Sequence, residues 1–168
     1  MNIRAEKESD IKAIFEITKQ AFENHPYSQG TEQFIINALR NDNALTISLV
    51  AEIEGKVVGH VAFSPVTISD GSCDWYGLGP VSVQPKFQRQ GIGQALVREG
   101  LARLKALGAQ GCVLVGEPAY YNRFGFKSFP NLSMEGVSQQ YVLALPFAER
   151  MASGVITHHR AFSVKKEE

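Results

Sequence analysis

Apolar residues recur along this chain in two rhythms, one of period two and one of about 3.6, and their succession lays out the elements. Ile3 to Ala5 predicts a short first strand. From Ser9, taken as an N-cap, Ile11, Ile14, Phe15, Thr18, Ala21 and Phe22 fall on one helical face. Asn24-His25-Pro26 ends that helix, because proline cannot continue it. A second helix starts near Thr31 and carries Phe34, Ile35, Ala38 and Leu39. Ile47, Leu49, Ala51 and Ile53 alternate, Glu54-Gly55 turns, and Val57 to Phe63 returns, so this is a hairpin whose second strand is apolar at nearly every position. Pro65 and the turn Ser69-Asp70-Gly71-Ser72 are expected to end it, and Asp74-Trp75-Tyr76 to lead into the next strand.

The remaining pattern is one strand, a long helix, and further strands. Val81 and Val83 alternate with Ser82 and Gln84; a polar loop with Gly91 and Gly93 follows; then Leu96, Val97, Leu101, Leu104 and Leu107 mark the inner face of a helix. Glu99 and Arg103 form an i,i+4 pair outside, and Gly108 is the stop. Cys112 to Val115 is a short buried strand, which makes Cys112 a core residue rather than a nucleophile. Strand, helix and strand at this spacing predict a parallel crossover. Pro118 opens a short helix, Tyr141 to Leu145 reads as a late strand, and Val155 to Phe162 as a last extended segment. On such a segment His158 and His159 point to opposite faces, so they do not chelate one metal and are read as structural.

Composition narrows the class only moderately. At 168 residues, 44% hydrophobic and 20% charged, residues 1–168 are expected to form one globular domain. Lys plus Arg and Asp plus Glu stand at 17 each, so no basic excess points to nucleic acid or to an anionic membrane surface. Cys73 and Cys112 make neither a disulfide framework nor a zinc site. Neither a membrane span nor a secretory leader is legible, which predicts a cytoplasmic protein; the end Lys165 to Glu168 reads as a frayed tail. A monomer or a homodimer is equally compatible with the pattern.

The candidate chemistry sits where strand gives way to glycine loop and helix. The first turn of a helix has backbone N–H groups without partners and lies at the positive end of the dipole, so it cradles an anion. Gly91 and Gly93 let a phosphate approach the backbone, which predicts a phosphorylated ligand. The dinucleotide fingerprint needs glycine or alanine at Leu96, and the nucleoside-triphosphate loop needs Gly-Lys-Ser/Thr, so neither fits. Gln88-Arg89-Gln90-Gly91-Ile92-Gly93 does follow Gln/Arg-x-x-Gly-x-Gly/Ala. That phrase resembles the acyl-coenzyme A pyrophosphate loop of the GNAT superfamily of N-acetyltransferases. About thirty residues on, Tyr120-Tyr121-Asn122-Arg123-Phe124-Gly125-Phe126 is similar to the family phrase Phe-Tyr-Glu-Lys-x-Gly-Phe.

The resemblance implies an α+β fold with a central mixed, mostly antiparallel sheet. One parallel strand pair in it is splayed and helices flank it, in the order β-α-α-β-β-β-α-β-α-β-β. It implies acetyl-CoA as cosubstrate and a primary amine of a small molecule, peptide or protein as acceptor, attacked directly in a ternary complex. By resemblance the Val81 N–H donates to the oxyanion, and Val83 backbone groups hold the pantetheine arm. The amides of Gln88, Arg89, Gln90, Gly91, Ile92, Gly93 and Gln94 then cradle the pyrophosphate, with Arg89 adding charge. Pro80 cannot donate to a sheet ladder, which predicts a slot opening beside Val81.

Tyr121 matches the family's tyrosine that protonates the departing thiolate, with Tyr120 the adjacent alternative. The base is the departure. Some family members carry a glutamate four residues before the position of Val81, and Gly77 stands there. Glu117 comes first among the substitutes, ahead of His60, Asp74 or a water chain. The missing asparagine after the fifth strand is a second departure. Two other readings stay open, a non-catalytic acyl-CoA sensor and a nucleotide-binding regulator. The acceptor's walls are expected from the loop His25 to Gly30, from Phe63 to Tyr76, and from the C-terminal strands.

Overall fold

The computed structural model describes residues 1–165; the expected frayed tail falls outside the described residues from 166 onward. Strand β1 (Asn2–Ala5) is followed by helices α1 (Ile11–Phe22) and α2 (Glu32–Asn41), then by β2 (Ile47–Ile53), β3 (Lys56–Ile68) and β4 (Trp75–Val83). Helix α3 (Ile92–Ala106), β5 (Gly111–Val115) and α4 (Pro118–Tyr121) come next. The last strands are β6 (Leu132–Ser133), β7 (Val142–Pro146) and β8 (Gly154–His158). Neighbours in the sheet run β1-β2-β3-β4-β5-β7, with β8 on the far half of β3 and β6 beside β8. The β4–β5 pair is parallel within an otherwise antiparallel main sheet, which is the expected GNAT-like plan.

Alternation assigns the faces. On β3, Val61 and Phe63 point to α3, where Leu96, Val97 and Leu104 are fully buried and each contributes about 1.5–3 kcal/mol of apolar burial. Gly100 of α3 is the residue that lets the Phe63 ring sit against the helix backbone. His60, Ala62, Ser64 and Val66 point to the opposite face, which α1 and α2 cover over one half. Strand β8 and the segment around Leu132 cover the other half, with Val66, Trp75, Val113 and Ile156 beneath.

Several local expectations change. Asp10, not Ser9, organises the first helix start: its carboxylate accepts from the Lys7 N–H (2.7 Å) and from Arg4 (2.7 Å), and a 3₁₀ turn precedes α1. Pro65 does not end β3. It lies opposite Tyr76 and the strand runs on to Ile68, which supplies the edge that β8 joins. Leu107 is 62% exposed, because α3 ends at Ala106 and Gly108 turns the chain away with φ +88°. The last segment is extended only to His158; Arg160–Ser163 winds into a 3₁₀ turn whose start is capped by His159, Nδ1 accepting from the Ala161 N–H at 3.0 Å. His158 and His159 therefore do not share one strand's alternation. Among the described residues, no helix is long and apolar enough to cross a membrane.

Candidate active site

The parallel pair is short. Trp75, Tyr76 and Gly77 of β4 lie opposite Gly111, Cys112 and Val113 of β5, and there the pairing stops. Beyond it, β4 stays with β3 while Leu114 and Val115 of β5 stay with β7, so a V-shaped slot opens from Gly77. A bulge turns β4 away: Val61 and Phe63 are two steps apart, their partners Val81 and Leu78 three. The extra residue falls at Gly79-Pro80, where Gly79 holds φ +133° and the peptide bond is cis. The slot expected beside Val81 is present.

Backbone direction along β4 follows from one bond. The Gln84 N–H donates to the Val58 carbonyl at 2.8 Å, on the β3 side. Alternation then turns the N–H and C=O of Val81 and Val83 the other way, into the slot. The Gln88 side chain folds back and donates to the Val83 carbonyl at 3.0 Å, so Gln88 acts here through its side chain.

The slot ends at the start of α3. Arg89 has φ +65° and Gly91, the N-cap, φ +85°; no side chain caps the helix, which leaves the first-turn N–H groups facing outward. Arg89, Gln90 and Gly91 are exposed, Gly93 and Gln94 partly so, while the Ile92 side chain is buried and offers only its backbone. A β carbon on Gly93 would stand 3.5 Å from the Tyr120 hydroxyl and within 4.0 Å of the Val81 and Val83 side chains. Tyr120 thus lines the slot between β4 and α3. Burial raises its phenol's pKa, against the opposing pull of Arg123 and Arg98. Arg123 lies over the Tyr120 ring at 4.5 Å and Arg98 over Phe124 at 4.9 Å. These two cations lie over the aromatic cluster of Tyr120 and Phe124 and were not singled out from sequence; the signal was Arg98 seven residues after Gly91, two turns along one face.

Tyr121 lies deeper. Its ring packs against Gly116 at the end of β5, and its pKa is pushed up to about 12 by burial first, then by Tyr120 and Cys112. It stands on the α3 face of the slot. The Cys112 thiol is fully buried and raised by desolvation, as a core thiol should be. Glu117 occupies the N-cap of α4, its carboxylate exposed and its carbonyl accepting from the Tyr120 and Tyr121 N–H groups (3.1 Å each).

On the opposite face the vacancy at Gly77 is filled. A β carbon there would meet Val66 Cγ1 at 3.1 Å and His158 Nδ1 at 3.2 Å, so the imidazole takes the space of the missing side chain. The reading of His158 as merely structural missed this, because β8 reaches the site only through β3. His60 sits elsewhere, on β3 opposite Val50 of β2, on the face that α1 covers. Its Nε2 is 2.7 Å from the Ser48 hydroxyl, which donates to Glu6, which Arg40 holds at 2.8 Å. Burial pushes His60 down to about 4, so it is neutral and structural. The loop His25 to Gly30 is largely exposed, Tyr27 at 91%.

The family model described as an acetyltransferase (GNAT) domain matches residues 2–129. An uncharacterised N-acetyltransferase, YhbS of Escherichia coli, is 39% identical over 128 residues, 76% of this chain and 74% of that relative. A crystal structure of a GNAT family acetyltransferase from Brucella melitensis in complex with acetyl-CoA superposes with a TM-score of 0.86 and 47% identity, over 96% of this chain and 97% of that one. The crystal structure of Escherichia coli YhbS in complex with CoA gives a TM-score of 0.87 at 32% identity, over 97% and 92% of the two chains.

Proposed function

The chain belongs to the GNAT acetyltransferase family, and from that membership we propose that it transfers an acetyl group from acetyl-CoA to a primary amine by direct attack in a ternary complex. One observation carries the reading: the sheet parts after Gly77 and Val113 so that the open slot runs to an uncapped helix start at Gly91. The acetyl-CoA and CoA held by the two similar crystal structures support the same ligand here.

In this reading the free N–H groups from Gly91 to Gln94 hold the pyrophosphate, Gln90 and Arg89 line its approach, and Arg98 and Arg123 add positive potential. The pantetheine arm runs along β4 like an added strand, on the Val83 N–H and the Val81 carbonyl. The Val81 N–H points at the thioester oxygen where negative charge develops during attack, and a donor already in place costs no reorganisation. Tyr121, held neutral by burial, donates its proton to the leaving sulfur. The acceptor enters from the α1/α2 face, past the loop His25 to Gly30. That loop holds no Asp, Glu, Lys or Arg, so a small amine or a peptide amine fits as well as a protein one.

The test is thiol release from acetyl-CoA across a panel of polyamines, amino acids and peptide N-termini, with product masses read for each. Acetylation of one class well above the no-acceptor rate supports the reading. Acetyl-CoA binding with no acetylated product from any class, and no thiol released even to water, overturns it.

A further inference from the structure

Four buried side-chain atoms have no hydrogen-bond partner among the described residues: Gln33 Oε1, His60 Nδ1, Ser64 Oγ and His158 Nδ1. Buried polar atoms are nearly always paired, so each of these needs an account. Two of them flank one residue. Ser64 is the cross-strand partner of Gly77, on the same face, and is fully buried. His158 Nδ1 lies 3.2 Å from the point a β carbon of Gly77 would occupy. Gly77 is also the last residue of β4 paired with β5, where the slot begins. A hydroxyl and an imidazole, each without a partner, therefore converge at the closed end of the slot, on the face away from Tyr121.

We propose that His158 is the base that takes the proton from the acceptor amine, with Ser64 orienting that amine or the water that relays to it. This rests on the acetyltransferase reading and adds the group that sequence left unassigned. The placement suits the chemistry. The amine nitrogen bonds to the acetyl carbon from the α1/α2 face, its proton passes to His158 Nδ1, the carbon–sulfur bond breaks, and Tyr121 protonates the sulfur from the other face. Amide and free thiol leave; the imidazolium and the phenolate then re-equilibrate with solvent.

The ring is fixed from several sides. It stacks on Phe162, centroids 4.4 Å apart and planes 21° from parallel, and β8 pairs His158 with Val66. Its neighbours Val66 of β3, Gly77 of β4 and Phe162 of the following turn are all uncharged. The neighbouring His159 and Arg160 turn to Asp42, at 2.9 and 2.8 Å. Burial alone lowers its pKa, so the ring is neutral at pH 7 and its Nδ1 lone pair is free in the Nε2–H tautomer. Glu117, by contrast, is exposed at the α4 start.

The experiment compares wild type, His158→Gln, His158→Ala and the exchange Gly77→Glu/His158→Ala, with Glu117→Gln as the control. Acetyl-CoA is the donor, and water and the best amine of the panel are acceptors. The glutamate enters the space the imidazole leaves. Expected is a loss of kcat of about 100-fold in both single variants, in the range general-base removal produces, with the melting shift by acetyl-CoA unchanged. In wild type, kcat/KM rises with pH through a limb below 6.5, the ordinary histidine value, and that limb is absent in His158→Gln. The exchange variant regains at least about tenfold. Turnover of His158→Gln within about threefold of wild type, or a retained acidic limb, overturns the proposal. So does a loss of turnover found in Glu117→Gln instead, or an exchange variant no faster than His158→Ala. A wild type that releases no thiol to any acceptor fails at the earlier step: it removes the acetyltransferase reading, and this base with it.

Discussion

The imidazole of His158 stands in for the side chain that Gly77 lacks, with Nδ1 3.2 Å and Cε1 3.3 Å from where a β carbon would sit. A methyl group placed at Gly77 must push the ring or Val66 by a few tenths of an ångström. Gly77→Ala is therefore expected to cost about 1–2 kcal/mol in urea denaturation, the ordinary range for overpacking. Turnover should fall further than that loss explains, while acetyl-CoA affinity holds. Unchanged turnover would mean the imidazole position does not matter to the reaction.

Tyr121 gives a second expectation. Tyr121→Phe keeps the ring against Gly116 and removes the proton donor, so kcat should drop about 100-fold with little change in stability. Gly116→Ala attacks the same residue sterically: its β carbon would fall 2.6 Å from Tyr121 Cε2, forcing the ring to move. Both variants should lose turnover, and only Gly116→Ala should also lose melting temperature. Equal activity of Tyr121→Phe and wild type, with loss in Tyr120→Phe, would transfer the role to the neighbour whose hydroxyl lines the slot beside Gly93.

Stability should depend on pH through His60. Its folded pKa is depressed to about 4 from an unfolded value of 6.5, so the unfolded chain binds the proton more readily between those values. The stabilisation is fully present above pH 6.5 and is lost as pH falls towards 4. Its size is on the order of 3 kcal/mol at most, because each tenfold difference in proton affinity between folded and unfolded chain is worth about 1.4 kcal/mol. Glu6, held below the usual carboxylate range against its own burial by Arg40 and Ser48, adds the same sign at lower pH. Denaturant midpoints at pH 7.5 and 5 should differ clearly in wild type and much less in His60→Gln; equal differences would show that another group carries the dependence. His158, also depressed, leaves a residual slope in that variant.

The cradle predicts a separable effect. Gly91 holds φ +85° in the bend that frees the first N–H groups of α3. Gly91→Ala should cost about 1 kcal/mol of folding stability, the usual penalty for a left-handed alanine, and weaken CoA binding by more than tenfold. An alanine variant that binds CoA like wild type would remove the helix start from the site.

Much of this was legible because it is local. The loop from Gln88 to Gly93 carries its own conformational requirements, and the helix after it shows a clean period. Pro80 announced the break in the ladder, and the bulge beside it follows. What escaped is non-local. Pro65 reads as a strand end, yet it falls between the last β2 pair of β3, at Phe63, and the first β8 pair, at Val66, so the strand runs on through it. His158 looked like one of two tandem histidines until β8 ended at it and the 3₁₀ turn took His159 to Asp42. No spacing rule joins residue 158 to residue 77; the join is made by two strand pairings in series. The orphaned hydroxyl of Ser64 was equally invisible, since only burial makes a serine informative.

The most direct test of the account is a melting-temperature titration of the purified protein with acetyl-CoA, CoA, ATP and NAD. A ligand at 100 times its dissociation constant stabilises the folded state by about 2.7 kcal/mol, a shift of several degrees. The slot and cradle predict a shift with acetyl-CoA and CoA and none with ATP or NAD. No shift with either CoA species at millimolar concentration would contradict the assignment of the Gly91 cradle, and the proposed chemistry would fall with it.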